Sequence, residues 1–254
     1  MDLATKPQFE IAKKVLPSEL LKLLTLIFSE GLGGCMLVGG TALAGFYAGH
    51  RQSDDLDLFT ASSDWQKATI LNVQMFKKGL SKLDVEFLDE FHSKNYFRAT
   101  CRLNQHNFKI DVVEDKNLFN VGQAIEIQHK IRVADLPTLL MMKAATLVSR
   151  CSEKDLFDIL WILKNIEGID LAKLIESGKK IDRGLNAEAL LISISTTKLE
   201  KEACGFCHNQ SAEKIYHQIK NFQKLLQKNL IHFLRKQKPT DLSALIKKTK
   251  KVLG

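Results

Sequence analysis

Two short motifs, close together in the sequence, contain residue types that suit phosphate and metal-ion chemistry. Gly39-Gly40-Thr41 follows the apolar run 35–38, a pattern typical of a strand, a tight turn and the first residue of a helix. Glycines let backbone amides approach an anion, and a helix N-terminus favours negative charge. The first motif is therefore a candidate seat for phosphate groups.

The second motif is a pair of aspartates on a predicted strand. Asp55 and Asp57 alternate with Leu56 and Leu58, as on a half-buried strand. Both carboxylates then leave the same face, about 7 Å apart at the backbone. Their repulsion favours a bound cation such as Mg²⁺ or Mn²⁺. Either motif alone is more often an ordinary turn or an acidic hairpin end, but their order and spacing favour phosphoryl or nucleotidyl transfer.

A third carboxylate, Asp111, interrupts a later apolar strand on the face opposite Ile110 and Val112. A charged group in mid-strand is costly unless a cation meets it. If this strand lies beside the strand of Asp55 and Asp57, the three acids form one cluster. The alternative is an acid on an edge strand that faces water.

Two sequence runs resemble the signature of the AbiEii/AbiGii toxin family: GGTALA at 39–44 and HRQSDDLDLF at 50–59. That family belongs to the nucleotidyltransferase superfamily of polymerase-β-like folds. The resemblance implies catalytic and metal-binding roles for Asp55, Asp57 and Asp111, with Mg²⁺ or Mn²⁺ as cofactor and a nucleoside triphosphate (NTP) as substrate. The third acid would also activate the attacking hydroxyl.

The resemblance also implies a set of nucleotide-binding residues: Gly39, Gly40, Thr41, Arg51, Ser53, Lys143 and Asp155. A downstream family motif is matched by Lys143, Arg150 and the Lys154-Asp155 pair. In the family the lysine lies near the nucleotide phosphates, and the Lys-Asp pair supports the site from the helical half. The alternative is that Arg150 with Asp155, or Lys154 with Asp158, forms a surface ion pair of modest value.

The activity implied by the resemblance is transfer of a nucleoside monophosphate to an acceptor hydroxyl. A tRNA 3′ end is the candidate acceptor, and a cognate antitoxin is the candidate protein partner. Protein hydroxyls, small alcohols and aminoglycoside-like acceptors require the same three acids. Two other classes stay open: a catalytically silent nucleotide- or partner-binding module on the same fold, and an interaction protein with an incidental acidic hairpin.

The predicted elements indicate a mixed α/β (α+β) fold. Strands are predicted over 83–88, 96–103, 107–114 and 124–133, after a helical lead-in over 8–30, and helices over 63–78, 138–150, 153–164, 171–180, 187–193, 211–236 and 242–252. We expect a nucleotidyltransferase-like twisted mixed sheet flanked by helices in residues 1–134. Residues 135–254 would form a C-terminal helical bundle.

Charge is distributed unevenly along the 254 residues, whose formal net charge is +8. Residues 1–170 contain 20 basic and 22 acidic side chains, whereas 171–254 contain 17 and 7. This asymmetry favours a polyanionic partner such as RNA, and equally fits helices with lysine-rich solvent faces.

The N-terminus lacks the pattern of a secretory signal, and the apolar segment 20–28 is too short to cross a bilayer, so we expect a cytoplasmic protein. The five cysteines form an odd, scattered set, which suits reduced thiols. Cys204-Gly205-Phe206-Cys207-His208 matches a haem-attachment pattern. Half of a zinc site fits this motif slightly better than haem, and two packed or loop cysteines fit it best.

Overall fold

The computed structural model describes residues 6–29, 34–61, 77–78, 80–207 and 209–236. The helices predicted over 63–78 and 242–252 fall almost wholly outside these ranges, as does His208. Among the helices within these ranges, none combines the length and apolar character that a membrane span needs.

In the described part of the chain, seven strands form one mixed sheet: β1 (Cys35–Val38), β2 (Leu56–Thr60), β3 (Glu86–Ser93), β4 (Tyr96–Leu103), β5 (His106–Glu114), β6 (Ala124–Glu126) and β7 (Arg132–Ala134). Their spatial order is β3-β4-β5-β2-β1-β7-β6. Strand β2 runs antiparallel to β1 and parallel to β5, while β4 is antiparallel to both β3 and β5. The predicted mixed sheet is confirmed.

One face of this sheet forms part of the hydrophobic core. Leu56 and Leu58 of β2, Ile110 of β5 and Phe97 of β4 are all fully buried. Because successive side chains of a strand point to opposite faces, the residues between them lie on the other face. That second face is more open and contains Asp57.

The helices are α1 (Phe9–Val15), α2 (Ser18–Ser29), α3 (Gly39–Leu43), α4 (Lys116–Val121), α5 (Leu136–Ser149), α6 (Glu153–Asn165), α7 (Leu171–Lys179), α8 (Ala187–Thr196) and α9 (Ala212–Lys236). Helix α3 continues as a π-helical turn over Ala44–Ala48, and Gly49 ends it in the left-handed conformation. Asp135 caps α5 by accepting a hydrogen bond from the Thr138 amide, and Pro137 lies in the first turn, as predicted.

Two predicted strands have the wrong extent. Strand β3 begins only at Glu86, because Asp84 adopts a positive φ of 54° in the preceding turn. The segment 124–133 is not one strand, since His129 has a positive φ of 60° within a 3₁₀ turn. The chain folds back there, and β6 pairs with β7 as an antiparallel hairpin. The alternation of apolar and polar residues alone does not reveal that the chain reverses direction at this turn.

The boundary predicted between 1–134 and 135–254 falls where β7 is followed by α5. The two parts are joined by hydrogen bonds, one of which runs from the Gln52 amide to the Phe206 carbonyl at 2.9 Å. A division into two domains at this point stays a prediction.

Candidate active site

The sheet register brings two of the three predicted carboxylates together. Strands β2 and β5 are parallel neighbours, and Asp57 lies directly opposite Asp111. Residues paired in this way leave the same face of adjacent strands, whose backbones are about 4.8 Å apart. Strand β5 lies inside the sheet between β4 and β2, so the alternative of an acid on an edge strand is wrong.

The pKa of Asp57 depends on the charges of the two other predicted acids. Burial and then the negative charges of Asp111 and Asp55 raise the pKa of Asp57 to about 6. The positive charges of Lys143 and Arg150 lower this pKa only in part. A carboxylate destabilised by like charges is stabilised by a cation, so the cluster has the electrostatic character of a cation site.

The Gly39-Gly40 turn packs directly against this cluster. Gly39 has a φ of +69°, and a β-carbon added there would lie 2.0 Å from Asp57 Oδ2. A β-carbon added to Gly40 would lie 2.6 Å from Arg51 Nη2 and 3.1 Å from Ser53 Oγ. Only glycine fits at either position without displacing a side chain of the site.

Thr41 in α3 and Ser53 in the loop that precedes β2 are both buried, and their hydroxyl groups lie close together. The Thr41 hydroxyl donates to the Asp55 carbonyl oxygen and lies 2.9 Å from the Ser53 hydroxyl. These contacts tie the start of α3 to the loop that presents Asp55. Both hydroxyls are thus used within the protein, and direct contact of either with a nucleotide stays a prediction.

Asp111 is oriented by two side chains of β4. The Tyr96 hydroxyl donates to Asp111 Oδ1 at 2.5 Å, and Arg98 Nε donates to the same oxygen at 2.8 Å. Burial and the adjacent Asp111 carboxylate raise the pKa of Tyr96 to about 12, so this phenol stays a proton donor at neutral pH. Sequence reasoning missed both residues. The predicted strands 96–103 and 107–114 leave a three-residue turn, which would place Arg98 opposite Val112. The structure pairs Leu103 with His106, and this register places Arg98 opposite Asp111.

Behind the glycine turn lies a buried ion cluster centred on Asp158. Arg51 forms a two-pronged contact with this carboxylate, Nε to Oδ1 at 2.7 Å and Nη2 to Oδ2 at 2.8 Å. Lys143 Nζ lies 2.7 Å from Asp158 Oδ2 and 2.9 Å from Asp155 Oδ1. His50 Nε2 lies 2.8 Å from Asp158 Oδ1. The cluster thus joins the loop after α3 to helices α5 and α6.

The alternative prediction, that Asp155 and Asp158 form surface ion pairs, is wrong, because both aspartates are fully buried. Arg150 does contact Asp155 at 3.2 Å, but Lys154 is exposed and does not hold Asp158. From the sequence, Asp158 is considered only as a surface partner of Lys154 and is not among the candidate site residues. Asp158 could have been linked to Asp155 from the sequence, because residues three positions apart lie on the same face of a helix such as α6.

The charges in this cluster determine its protonation states. Burial alone would raise the pKa of Asp158, but the charges of Lys143 and Arg51 hold it well below its usual range. Asp155 behaves similarly, with a pKa lowered to about 2 against the effect of burial. Burial lowers the pKa of His50, so its imidazole is neutral at pH 7. Both aspartates are therefore ionised, and their negative charges largely compensate the positive charges of Arg51 and Lys143.

The oxygen donors of the three acids determine which metal ion the site could hold. Within 6–29, 34–61, 77–78, 80–207 and 209–236, no three His, Cys, Asp or Glu side chains are arranged as a metal-binding group. The donors nevertheless fit Mg²⁺, which prefers oxygen ligands and is usually held by one or two carboxylates together with substrate phosphates. The raised pKa of Asp57 fits the same interpretation, because a bound cation would relieve the repulsion from Asp55 and Asp111.

The Cys204/Cys207 motif is packed into the protein. Cys204 is fully buried, and its Sγ lies 3.4 Å from the Glu200 carbonyl oxygen. Cys207 Sγ lies 3.3 Å from the His50 carbonyl oxygen. Burial raises the pKa of both thiols, and all five cysteines are free in the structure. Their reduced state stays a prediction.

Comparison with known proteins agrees with this geometry. A family model described as "Nucleotidyl transferase AbiEii toxin, Type IV TA system" matches residues 23–240. The fold is similar to that of JHP933 from Helicobacter pylori, with a TM-score of 0.52 and 17% identity over 91% of this chain and 99% of that chain. It is also similar to MenT4, a nucleotidyltransferase toxin from Mycobacterium tuberculosis, with a TM-score of 0.50 and 13% identity over 82% of each chain.

No curated protein matches the sequence. At identities this low, the two solved structures show a shared fold alone. The family model spans most of the chain and includes the glycine turn, all three acids and the buried ion cluster. The chain therefore belongs to the AbiEii nucleotidyl transferase toxin family of type IV toxin–antitoxin systems, and it is a nucleotidyltransferase.

Proposed function

We propose that the protein transfers a nucleoside monophosphate from an NTP to an acceptor hydroxyl in a reaction that depends on Mg²⁺ or Mn²⁺. The observation that supports this most is the pairing of Asp57 with Asp111 on neighbouring strands, with Gly39 packed against Asp57. Asp55, Asp57 and Asp111 would hold the divalent ion. When bound, the ion would offset negative charge on the phosphates.

Asp111 is the proposed proton acceptor. Tyr96 and Arg98 both donate to its Oδ1, which fixes the carboxylate and leaves Oδ2 for the acceptor hydroxyl. As the proton moves to Asp111, the hydroxyl oxygen bonds to the α-phosphorus and the bond between that phosphorus and the α–β bridging oxygen breaks. Pyrophosphate leaves with the electron pair of the broken bond.

The triphosphate is proposed to lie over the turn formed by Gly39, Gly40 and Thr41, where the backbone can come close to it. Arg51 and Lys143 form ion pairs with buried aspartates. We therefore propose that they hold the glycine turn in place and add positive potential near the site, without binding the nucleotide directly. In particular, the charge of Lys143 lowers the pKa of Asp57. Ser53 and Asp155 belong to the same supporting set, through Thr41 and Lys143 respectively.

Family membership supports the proposals for the acceptor and the protein partner. We propose a tRNA 3′ end as acceptor, which the family resemblance supports. The toxin–antitoxin context supports an antitoxin that restrains the enzyme. The reaction takes place in the cytoplasm under this proposal, where NTPs and tRNA are both present.

A labelling experiment tests the reaction. The purified protein is incubated with total tRNA, Mg²⁺ and each NTP in turn, labelled either at the α- or at the γ-phosphate. We expect α-label to enter RNA, γ-label to appear only in pyrophosphate, and excess EDTA to abolish both. Incorporation of γ-label but not α-label would indicate phosphoryl transfer instead, and NTP binding without any incorporation would indicate a silent binding module.

The basic helix α9 is proposed to attract RNA through its phosphates. Lys224 and Lys228 are exposed and one turn apart, and the neighbouring Leu225 is 55% exposed. We expect the double change Lys224→Glu/Lys228→Glu to weaken tRNA binding at low salt and to reduce the slope of log Kd against log salt. Binding titrations at several salt concentrations measure both. An unchanged slope would exclude α9 from the RNA surface.

A further inference from the structure

The open face of the sheet presents a row of side chains beside the proposed catalytic carboxylates. Phe91 of β3 lies opposite Arg98 of β4, Arg98 lies opposite Asp111 of β5, and Asp111 lies opposite Asp57 of β2. Residues that are paired across adjacent strands share a face. The row therefore crosses four strands and leads from the carboxylates to an aromatic ring at the edge of the sheet.

Two aromatic rings and one guanidinium at this edge contact one another. The Arg98 Cζ atom lies 5.3 Å from the centre of the Tyr96 ring, and the Phe91 ring centre lies 6.1 Å from that of Tyr96. Phe91 is 54% exposed. We call Phe91, Tyr96 and Arg98 the aromatic platform. Its polar groups already orient Asp111, so it is continuous with the active site.

This combination of groups suits an unpaired nucleobase with its phosphate. Exposed aromatic rings on a sheet are platforms on which single-stranded bases stack, and arginine adds cation–π and phosphate contacts. Arg98 donates its Nε–H to Asp111, which leaves its terminal NH₂ groups for a phosphate oxygen. On the same face, Glu86 is paired with Arg102 at 3.3 Å. The charges of Asp89 and Lys109 there oppose each other, so the face has little net positive charge. Stacking rather than charge would therefore supply most of the affinity.

Strand order indicates which substrate the platform receives. Gly39 follows β1, on one side of β2, whereas the platform lies on β3 and β4, beyond β5. With the triphosphate at the glycine turn and Asp111 as proton acceptor, the attacking hydroxyl approaches from the β4 side. We propose that the platform stacks the terminal nucleobase of an RNA acceptor and so places its 3′ hydroxyl at Asp111. This inference rests on the proposed function.

The test measures binding and transfer separately. The probe is a mixed-sequence, single-stranded 12-nucleotide RNA with a free 3′ hydroxyl and a 5′ fluorophore, bound without NTP. We expect Phe91→Ala to weaken its binding by about 5- to 100-fold, the range for loss of one stacking ring. The KM for RNA in the labelling assay should rise similarly and the KM for NTP should not change. The slope of log Kd against log salt should also not change, unlike that of the α9 variant.

Two further variants control for indirect effects. Phe91→Trp keeps a stacking ring and should restore affinity to within about threefold of wild type. Ile192→Ala removes an apolar side chain that is 65% exposed on α8, and should leave RNA binding unchanged. Because Phe91 is exposed, its replacement should not alter the unfolding midpoint, which is measured in parallel.

The outcomes separate this inference from the proposed function. Unchanged RNA binding by Phe91→Ala would overturn the platform, as would a rise in the KM for NTP alone, which would assign the ring to the donor base. If the wild-type protein binds the RNA but transfers no nucleotide, the proposed function fails. In that case a loss of binding by Phe91→Ala would still support the platform. Absence of RNA binding by the wild-type protein would overturn the platform.

Discussion

Replacing Asp57 with asparagine is expected to lower nucleotide transfer by about 1,000-fold or more, because several kcal/mol of transition-state stabilisation depend on its charge. Asparagine keeps the shape of the side chain and its fit against Gly39. The loss should therefore reflect charge alone. It is measured as kcat/KM with α-labelled NTP at saturating Mg²⁺.

The same substitution is expected to stabilise the metal-free protein. The pKa of Asp57 rises from 3.8 to about 6 on folding, so the ionised group opposes folding at neutral pH. Removing the charge should raise the free energy of unfolding at pH 7 by up to about 3 kcal/mol. The gain should shrink as the pH falls from about 6 to 4, since the folded wild-type protein then binds the proton as well. Urea unfolding in EDTA at several pH values measures it.

Asp54→Asn is the matched control for Asp57. It removes the same charge three residues away, from an exposed side chain whose nearest ion partner is His106 at 3.6 Å. Both its activity and its free energy of unfolding should stay close to those of the wild type. Equal losses of activity in the two variants would indicate a general effect of local charge and would contradict a specific role for Asp57.

Replacing Asp158 with alanine is expected to lower the free energy of unfolding by about 3–5 kcal/mol at pH 7, the range for removing one partner of a buried ion pair. Arg51 and Lys143 would be left buried without their shared carboxylate, and His50 would lose its Nε2 contact. Arg51 also underlies Gly40, so transfer activity should fall as well. Urea unfolding at pH 7 measures the change in stability.

The control for Asp158 is Glu10→Ala. It breaks an ion pair of the same 2.7 Å length between two exposed side chains of α1, Glu10 and Lys13. Exposed pairs contribute about 1 kcal/mol or less. A similar small loss for Asp158→Ala would show that the buried cluster is not needed for stability.

Below about pH 4, the stability that the buried ion cluster around Asp158 contributes to the wild-type protein should fall. The pKa values of Asp155, at about 2, and of Asp158 are lowered by folding, so their contribution is complete above about pH 4. It is lost as the pH falls through the folded-state values, because the unfolded chain takes up protons first.

Local patterns in the sequence determined the parts of this protein that depend on neighbouring residues alone. Alternation around Asp57 and Asp111 predicted two strands with acids opposite a buried face, and both faces are as expected. Gly39-Gly40 predicted a tight turn, and Gly39 has a positive φ of 69°, although α3 begins at Gly39 and not at the predicted Thr41. Asp135 predicted a helix cap. These features follow from side-chain period, backbone sterics and capping, which act over a few residues.

Only the tertiary structure decided which of these residues meet. The parallel pairing of β2 with β5 determines that Asp57 faces Asp111, and no local pattern specifies strand order. Arg51 and Asp158 are 107 residues apart in the sequence, and each alone has the character of a surface residue. In the folded chain they form part of one buried ion cluster. Burial and charge pairing set the protonation states of these groups. Both depend on the whole chain, because the partners come together only when the helices pack against the sheet.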